Sequence, residues 1–156
     1  MLKDRRMAFL MIANVLSSIG SGVTMIGVPW MLVNRSGGDE IYGYATLAAT
    51  IVLFLLSPQI GIYIDRISRK KMLLGSELAG GTITLVFAIW GLYAGRLETW
   101  QLIAVYFSGS LYYSIHFPTQ FAFTQEIFSK EQYKTLNSVL EVQNQSTSMI
   151  AGVSPA

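Results

Sequence analysis

The sequence predicts an all-α, polytopic helical membrane protein, and three observations carry that prediction. Of the 156 residues 52% are hydrophobic and only 13% are charged, against roughly 25% charged in an ordinary soluble domain. Four stretches approach or exceed the roughly 20 apolar residues that cross about 30 Å of hydrocarbon as a helix. The charges between these stretches alternate by side, so their placement says more than the net charge of +2.

The predicted spans are about 7–33, 42–64, 72–93 and 100–123, with a fifth that begins near 136 and is incomplete at 156. Placing the N-terminus in the cytoplasm puts nine of the eleven basic residues there: Lys3, Arg5, Arg6, Arg66, Arg69, Lys70, Lys71, Lys130 and Lys134. Only Arg35 and Arg96 then face outward, and the positive-inside rule selects this orientation. The basic start superficially resembles a signal peptide. The apolar run after it is much longer than an h-region of about 7–15 residues, so it reads as a retained first helix.

That first helix carries small and polar residues in its middle: Asn14, Ser17, Ser18, Gly20, Ser21, Gly22 and Thr24. Small residues let helices approach closely in lipid, where packing drives association. The other reading is that Asn14, Ser17 and Ser18 line a polar cavity. Trp30, with Tyr42 and Tyr44 across the next turn, fits an aromatic belt. Residues 34–41 contain Gly37, Gly38, Asp39 and Glu40 and read as a short polar turn.

The second helix contains Pro58 about two turns before its inner end, which removes one backbone hydrogen bond and favours a kink or a hinge. A dense charge cluster follows. Asp65 stands at the helix C-terminus, where its charge opposes the helix dipole by about 0.3–1 kcal/mol. It therefore needs donors, and Arg66 and Arg69 are near enough in sequence to supply them.

Glu77 lies about two turns beyond Lys71 in the third span. A carboxylate at the centre of a membrane helix costs about 2.5–3.5 kcal/mol, and less near an end. Glu77 either snorkels back to Arg66, Arg69 or Lys70, or stays inside as a proton carrier. The fourth span runs through Tyr106, Phe107, Tyr112 and Tyr113 to His116, Phe117 and Pro118. For a helix ending near Thr124, His116 sits about 12 Å from the cytoplasmic edge. It is either a packed polar residue or a proton relay, given an ordinary pKa near neutrality. Residues 123–132 read as a polar turn at the cytoplasmic surface. Glu141 lies in an unusually polar entry to the fifth span, either at headgroup level or as a proton or substrate ligand.

Several chemistries are excluded. Without cysteine there are no disulfides and no thiolate metal sites. The sequence holds no Ser/His/Asp set in a plausible site, no metal-ligand spacing and no phosphate-cradling loop, so no enzyme activity, cofactor or metal is expected. Basic residues at membrane edges argue for orientation and against nucleic-acid binding.

The cluster from Gly61 to Lys70 resembles the loop between the second and third membrane helices of major facilitator superfamily transporters. Gly61, Asp65, Arg66, Arg69 and Lys70 match that pattern, and Ser68 stands where a glycine is usual. Further on, Pro118, the run from Gln125 to Phe128, Glu131 and the run from Leu136 to Ser138 are similar to the corresponding connection in the macrolide-efflux and enterobactin-exporter branch. Gly152 to Pro155 resembles the start of a Gly-Pro-rich stretch in that branch's fifth helix. The resemblance implies a partial N-terminal six-helix half of a major facilitator fold, in a bacterial cell membrane. It also implies a fragment of a proton-coupled exporter of drugs or other small amphipathic compounds. The partners it implies are the lipid bilayer, a small-molecule substrate and a missing C-terminal half. In that family the acid matching Asp65 also latches onto a helix of the second half. From a different class, a small helical membrane protein that scaffolds or regulates a partner is the alternative expectation.

The orientation can be tested with single cysteines at Ser36 and Ser129. An impermeant thiol reagent should label the Ser36 site in intact cells and the Ser129 site only after permeabilisation; the reverse pattern would invert the topology.

Overall fold

The computed structural model describes residues 5–128, together with Tyr133, Asn137, Ser138, Leu140, Glu141, Val142 and Gln145. Four long helices follow one another: α1 (Arg5–Val33), α2 (Gly38–Arg66), α3 (Arg69–Ala94) and α4 (Thr99–Ile127). No strand occurs among the described residues. The predicted fifth span lies mostly outside them, although Asn137, Ser138 and residues 140–142 are helical.

Each helix is longer than the sequence reading expected, because polar end residues continue the backbone hydrogen bonding. Asp39 and Glu40 belong to the first turn of α2, where acidic residues suit the positive end of the helix dipole. The first connection therefore shrinks to residues 34–37. It turns on Gly37, whose φ of 68° lies in the left-handed region that a side chain disfavours. Gly95, at φ 74°, ends α3 in the same way. Glu98 then starts α4 through a capping box, its backbone N–H donating to Gln101 Oε1 at 2.7 Å.

The charged connection is also shorter than expected. Asp65 and Arg66 finish α2, Arg69 and Lys70 open α3, and only Ile67 and Ser68 lie between. Basic residues in the first turn of α3 oppose the helix dipole, so helix electrostatics does not account for their position. Ser68 has φ −54°, an ordinary value for any residue. A glycine is therefore not required at the one place where the family pattern is broken.

At the other end of α4, residues 123–127 are helical, which corrects the expected turn over 123–132 as far as the described residues reach. The extension also places His116 about 16 Å from the end of its helix, at 1.5 Å per residue, deeper than expected.

Among the described residues, three helical stretches are long and apolar enough to span a membrane: Ile12–Val33, Gly38–Arg66 and Arg69–Ala94. Helix α4 is equally long at 29 residues but more polar. The packing supplies the reason. It touches each of α1, α2 and α3, most extensively α3, and is the hub of the bundle. Its buried face carries Gln101, Leu102, Val105, Thr119, Gln120 and Thr124, so its polar groups are shielded by the other helices. In contrast, α3 buries no residue fully and exposes Leu78, Leu92 and Tyr93 by 69%, 86% and 88%. A surface this apolar is suited to lipid, and the chain is a multi-pass membrane protein.

An apolar cluster closes the bundle at the end that bears Arg35. Val28 and Leu32 of α1 meet Leu102 and Val105 of α4, flanked by Tyr42, Phe87, Leu97 and Tyr106. Tyr42 and Tyr106 meet edge to face at 5.6 Å, a favoured aromatic geometry. Leu102→Ala should lower the stability of the bundle by about 2 kcal/mol through lost packing. Leu92→Ala, on the exposed face, should change it by less than about 0.5 kcal/mol. Reversible unfolding of the lipid-reconstituted chain, followed by circular dichroism, measures both; equal effects would contradict the placement of the core.

Candidate functional site

The polar interior lies between α1, α3 and α4, on the Arg69 side of the apolar cluster. Its centre is Glu77, eight residues into α3. Glu77 does not snorkel to Arg66, Arg69 or Lys70. Its Oε1 instead accepts hydrogen bonds from Ser17 Oγ of α1 and Tyr112 OH of α4, each at 2.7 Å. Ser17 Oγ and Tyr112 OH are themselves 2.6 Å apart. The side chain prefers these neighbours because a half-buried carboxylate is stabilised strongly by close hydroxyl donors, and the small residues of α1 let both helices come near.

The hydrogen count of this triangle is informative. Three oxygen pairs lie at bonding distance, but the two hydroxyls contribute only two hydrogens. With Glu77 ionised, one edge lacks its hydrogen. A proton on the carboxyl closes the ring, so the arrangement accommodates both states of Glu77 with different bond patterns.

His116 stands beside the triangle. Its Nδ1 is 3.3 Å from Glu77 Oε1 and is buried without an aligned hydrogen bond. Its ring stacks on Tyr112 at 4.8 Å between centroids. The acid partner that sequence alone did not name for His116 is therefore Glu77, brought from a different helix.

Two cavities flank this group. The larger, about 370 Å³, runs between α1, α3 and α4; Glu77, Ser17, Thr24, Tyr106 and Tyr113 line it within a mainly apolar wall. The smaller, about 140 Å³, is lined by Asn14, Ser18, His116, Gln120, Glu141 and Gln145, among others. Asn14 is 5% exposed and lines the smaller cavity. Glu141 accepts a hydrogen bond from Gln145 Nε2 at 2.9 Å while both line the small chamber. The four candidate cavity residues Asn14, Glu77, His116 and Glu141 thus come together around two adjoining spaces.

The loop-motif residues behave differently. Gly61, Asp65, Arg66 and Lys70 are exposed, and Arg69 is half-buried. Asp65 makes no ion pair among the described residues, which corrects the expected pairing with Arg66 and Arg69. Arg69 reaches away from it, donating to the Ala122 carbonyl at 3.1 Å and lying 3.5 Å from Glu126. The negative end of the α4 dipole and the Glu126 carboxylate both attract the guanidinium there. At the opposite end Arg35 donates to Thr99 Oγ1 at 2.9 Å and to the Leu97 carbonyl, fastening the first turn to the third.

Sequence reasoning did not select Tyr112, Arg35 or Glu126 as site residues. For Tyr112 a signal existed: it precedes His116 by four residues and so shares its helical face. Arg35 and Glu126 carried no comparable signal, because their partners are distant in sequence.

Comparison with known proteins agrees with this picture. The profile of the transmembrane secretion effector family, within the major facilitator superfamily, matches residues 2–153. Macrolide efflux protein A of Streptococcus pyogenes is 26% identical over 119 residues, covering 74% of this chain and 28% of that protein. The protein of the same name from Streptococcus pyogenes serotype M6 matches with the same identity and coverage. The chain therefore spans less than a third of the length of the curated relatives it matches. No solved structure matches. With its profile match running over nearly the whole chain, on a bundle of long apolar helices, this chain belongs to the transmembrane secretion effector family of the major facilitator superfamily.

Proposed function

We propose that this chain forms part of one wall of a proton-coupled exporter of drugs or other small amphipathic compounds. The observation that carries the reading is the Glu77 carboxylate, held by Ser17 and Tyr112 and adjoined by His116 at the wall of the large cavity. An apolar space of about 370 Å³ has the size and lining of a small-molecule site. A carboxylate with two satisfied protonation patterns provides a place for the coupling proton.

The name of the similar proteins supports export as the direction and macrolides as one candidate substrate class. Alternating access needs two opposed walls around the substrate, and the curated relatives are more than three times longer than their matched stretch. The working transporter accordingly pairs this bundle with further helices, a C-terminal half in the family arrangement. The N-terminus is cytoplasmic in this reading, so the Arg69 end of the bundle faces the cytoplasm. Gly61, Asp65, Arg66, Arg69 and Lys70 form a conformational motif there. Exposed Asp65 remains free to meet a partner outside the described bundle, which fits a latch better than an internal ion pair would.

Residues 1–156 expressed alone should leave macrolide and dye accumulation at control levels; uncoupler-sensitive efflux by these residues alone would show that no second wall is needed. In a transporter that contains this bundle, Glu77→Gln should lower proton-driven efflux about tenfold or more, normalised to inserted protein. Glu77→Asp should retain part of it. Full efflux by Glu77→Gln would remove Glu77 from the coupling site. In the same assay Asp65→Asn should impair export without reducing membrane insertion, because the basic residues that set topology remain; unimpaired export would reduce the motif to a topology signal.

A further inference from the structure

The two cavities divide the polar interior into compartments. Glu77 lines the larger and not the smaller; His116 and Glu141 line the smaller and not the larger. Ser21, Tyr112 and Tyr113 belong to both walls and form the partition between them. A direct polar crossing of that partition is the 3.3 Å approach of Glu77 Oε1 to His116 Nδ1.

From this we infer that His116 is a proton relay that connects Glu77, on the substrate-sized cavity, to a separate polar chamber bounded by Asn14, Gln120 and Glu141. The inference rests on the reading of Glu77 as proton carrier and adds the route by which its proton leaves. Protonated Glu77 turns its Oε1 proton from the hydroxyl ring to Nδ1, leaving a carboxylate that accepts from both Ser17 and Tyr112 and an imidazolium beside it. The imidazolium then releases a proton from its other ring nitrogen to water in the chamber. It returns to the neutral ring, and rotation or tautomer exchange resets Nδ1 as acceptor. No bond to carbon changes, and the only co-reactant is water.

Three features fit a relay better than a static pair. Nδ1 is close to the carboxylate but not aligned in a hydrogen bond, and contacts of this kind commonly tighten only as the proton moves. The two ring nitrogens of His116 are distinct sites, so one can take up a proton while the other releases one. The small chamber is polar, with amide and hydroxyl groups from Asn14, Ser18, Gln120 and Gln145, which suits it to hold water. The charged or titratable groups that face His116 are Glu77 from α3, Tyr112 and Tyr113 from its own helix, and Glu141 across the chamber. Helix α1 contributes only uncharged groups, and no Lys or Arg lines either cavity among the described residues. No fixed positive charge therefore opposes a transient imidazolium. Separate compartments also let a bound substrate fill the large cavity without blocking proton exchange.

The test uses the 156-residue chain in lipid nanodiscs and infrared difference spectroscopy after a pH jump. The carbonyl band of protonated Glu77 is identified by its loss in Glu77→Gln. His116→Ala should slow appearance and decay of that band about tenfold or more while leaving its equilibrium amplitude, and added imidazole should restore the rate. Glu141→Gln, across the chamber, should slow it by a smaller factor. Equal rates in wild type and His116→Ala would overturn the relay and leave Glu77 as proton carrier. Slowing that imidazole does not restore would also overturn it, since a structural defect is not repaired by a diffusible base. Absence of any Glu77 band across the pH range would overturn the proton-carrier reading and the relay together.

Discussion

The contact of Glu77 with Ser17 and Tyr112 is the constraint around which the bundle is organised. Inside a helical bundle in a bilayer a carboxylate is poorly solvated, and leaving one unsatisfied is costly. Donors must therefore come from other helices. Ser17 lies sixty residues earlier and Tyr112 thirty-five later, so satisfying this one group joins α1, α3 and α4 at a single point. The small residues of α1 are then needed for close approach, and the polarity of α4 follows because it supplies the tyrosine and the histidine.

That requirement explains how apolar and polar surfaces are distributed. Helices α2 and α3 turn broad apolar faces outward, while α4 sits among its neighbours and buries Gln101, Thr119, Gln120 and Thr124. Two of these threonines return hydrogen bonds to their own helix: Thr119 to the Ile115 carbonyl and Thr124 to the carbonyls of Gln120 and Phe121. These two hydroxyls are thus satisfied within their own helix. Toward the Arg35 end, Val28, Leu32, Leu102 and Val105 replace polarity with tight packing. A sealed apolar end and a hollow polar end result from one bundle because α4 changes character along its length.

Much of the fold was legible in the sequence. Bilayer thickness sets the length of a span and sidedness sets where charges fall, so helix order and the positions of the turns followed directly. Helix ends were less legible. Asp39 and Glu40 looked like turn residues until Gly37 was seen to make the turn alone, and Ser68 looked like a broken motif until its backbone proved ordinary. Of the site, the individual candidates were visible as polar residues in apolar surroundings. Their grouping was not, since it depends on which face of α3 turns toward α4. Glu77 could satisfy its charge at the loop or in the bundle, and only packing decides between partners of comparable strength. Arg69 illustrates the same limit: Asp65 is near in sequence, but Ala122 and Glu126 are near in space.

The arrangement of fasteners bears on how such a bundle takes part in movement. Arg35 ties the first turn to the third at one end, and Arg69 ties the start of α3 to the end of α4 at the other. The triangle of Glu77, Ser17 and Tyr112 binds the middle. A partly exposed ion pair such as Arg69 with Glu126 contributes at most about 1 kcal/mol alone, but together with the central Glu77–Tyr112 bond it resists sliding of α3 along α4. Large displacement within the described helices would break several of them together. Rocking of whole bundles, the usual mode of alternating access, breaks none. In the proposed relay, what changes inside the bundle is the position of a proton and the alignment of Glu77 with His116. A site built this way can register protonation without distorting its scaffold, because the two hydrogen-bond patterns of the triangle use the same three oxygen positions.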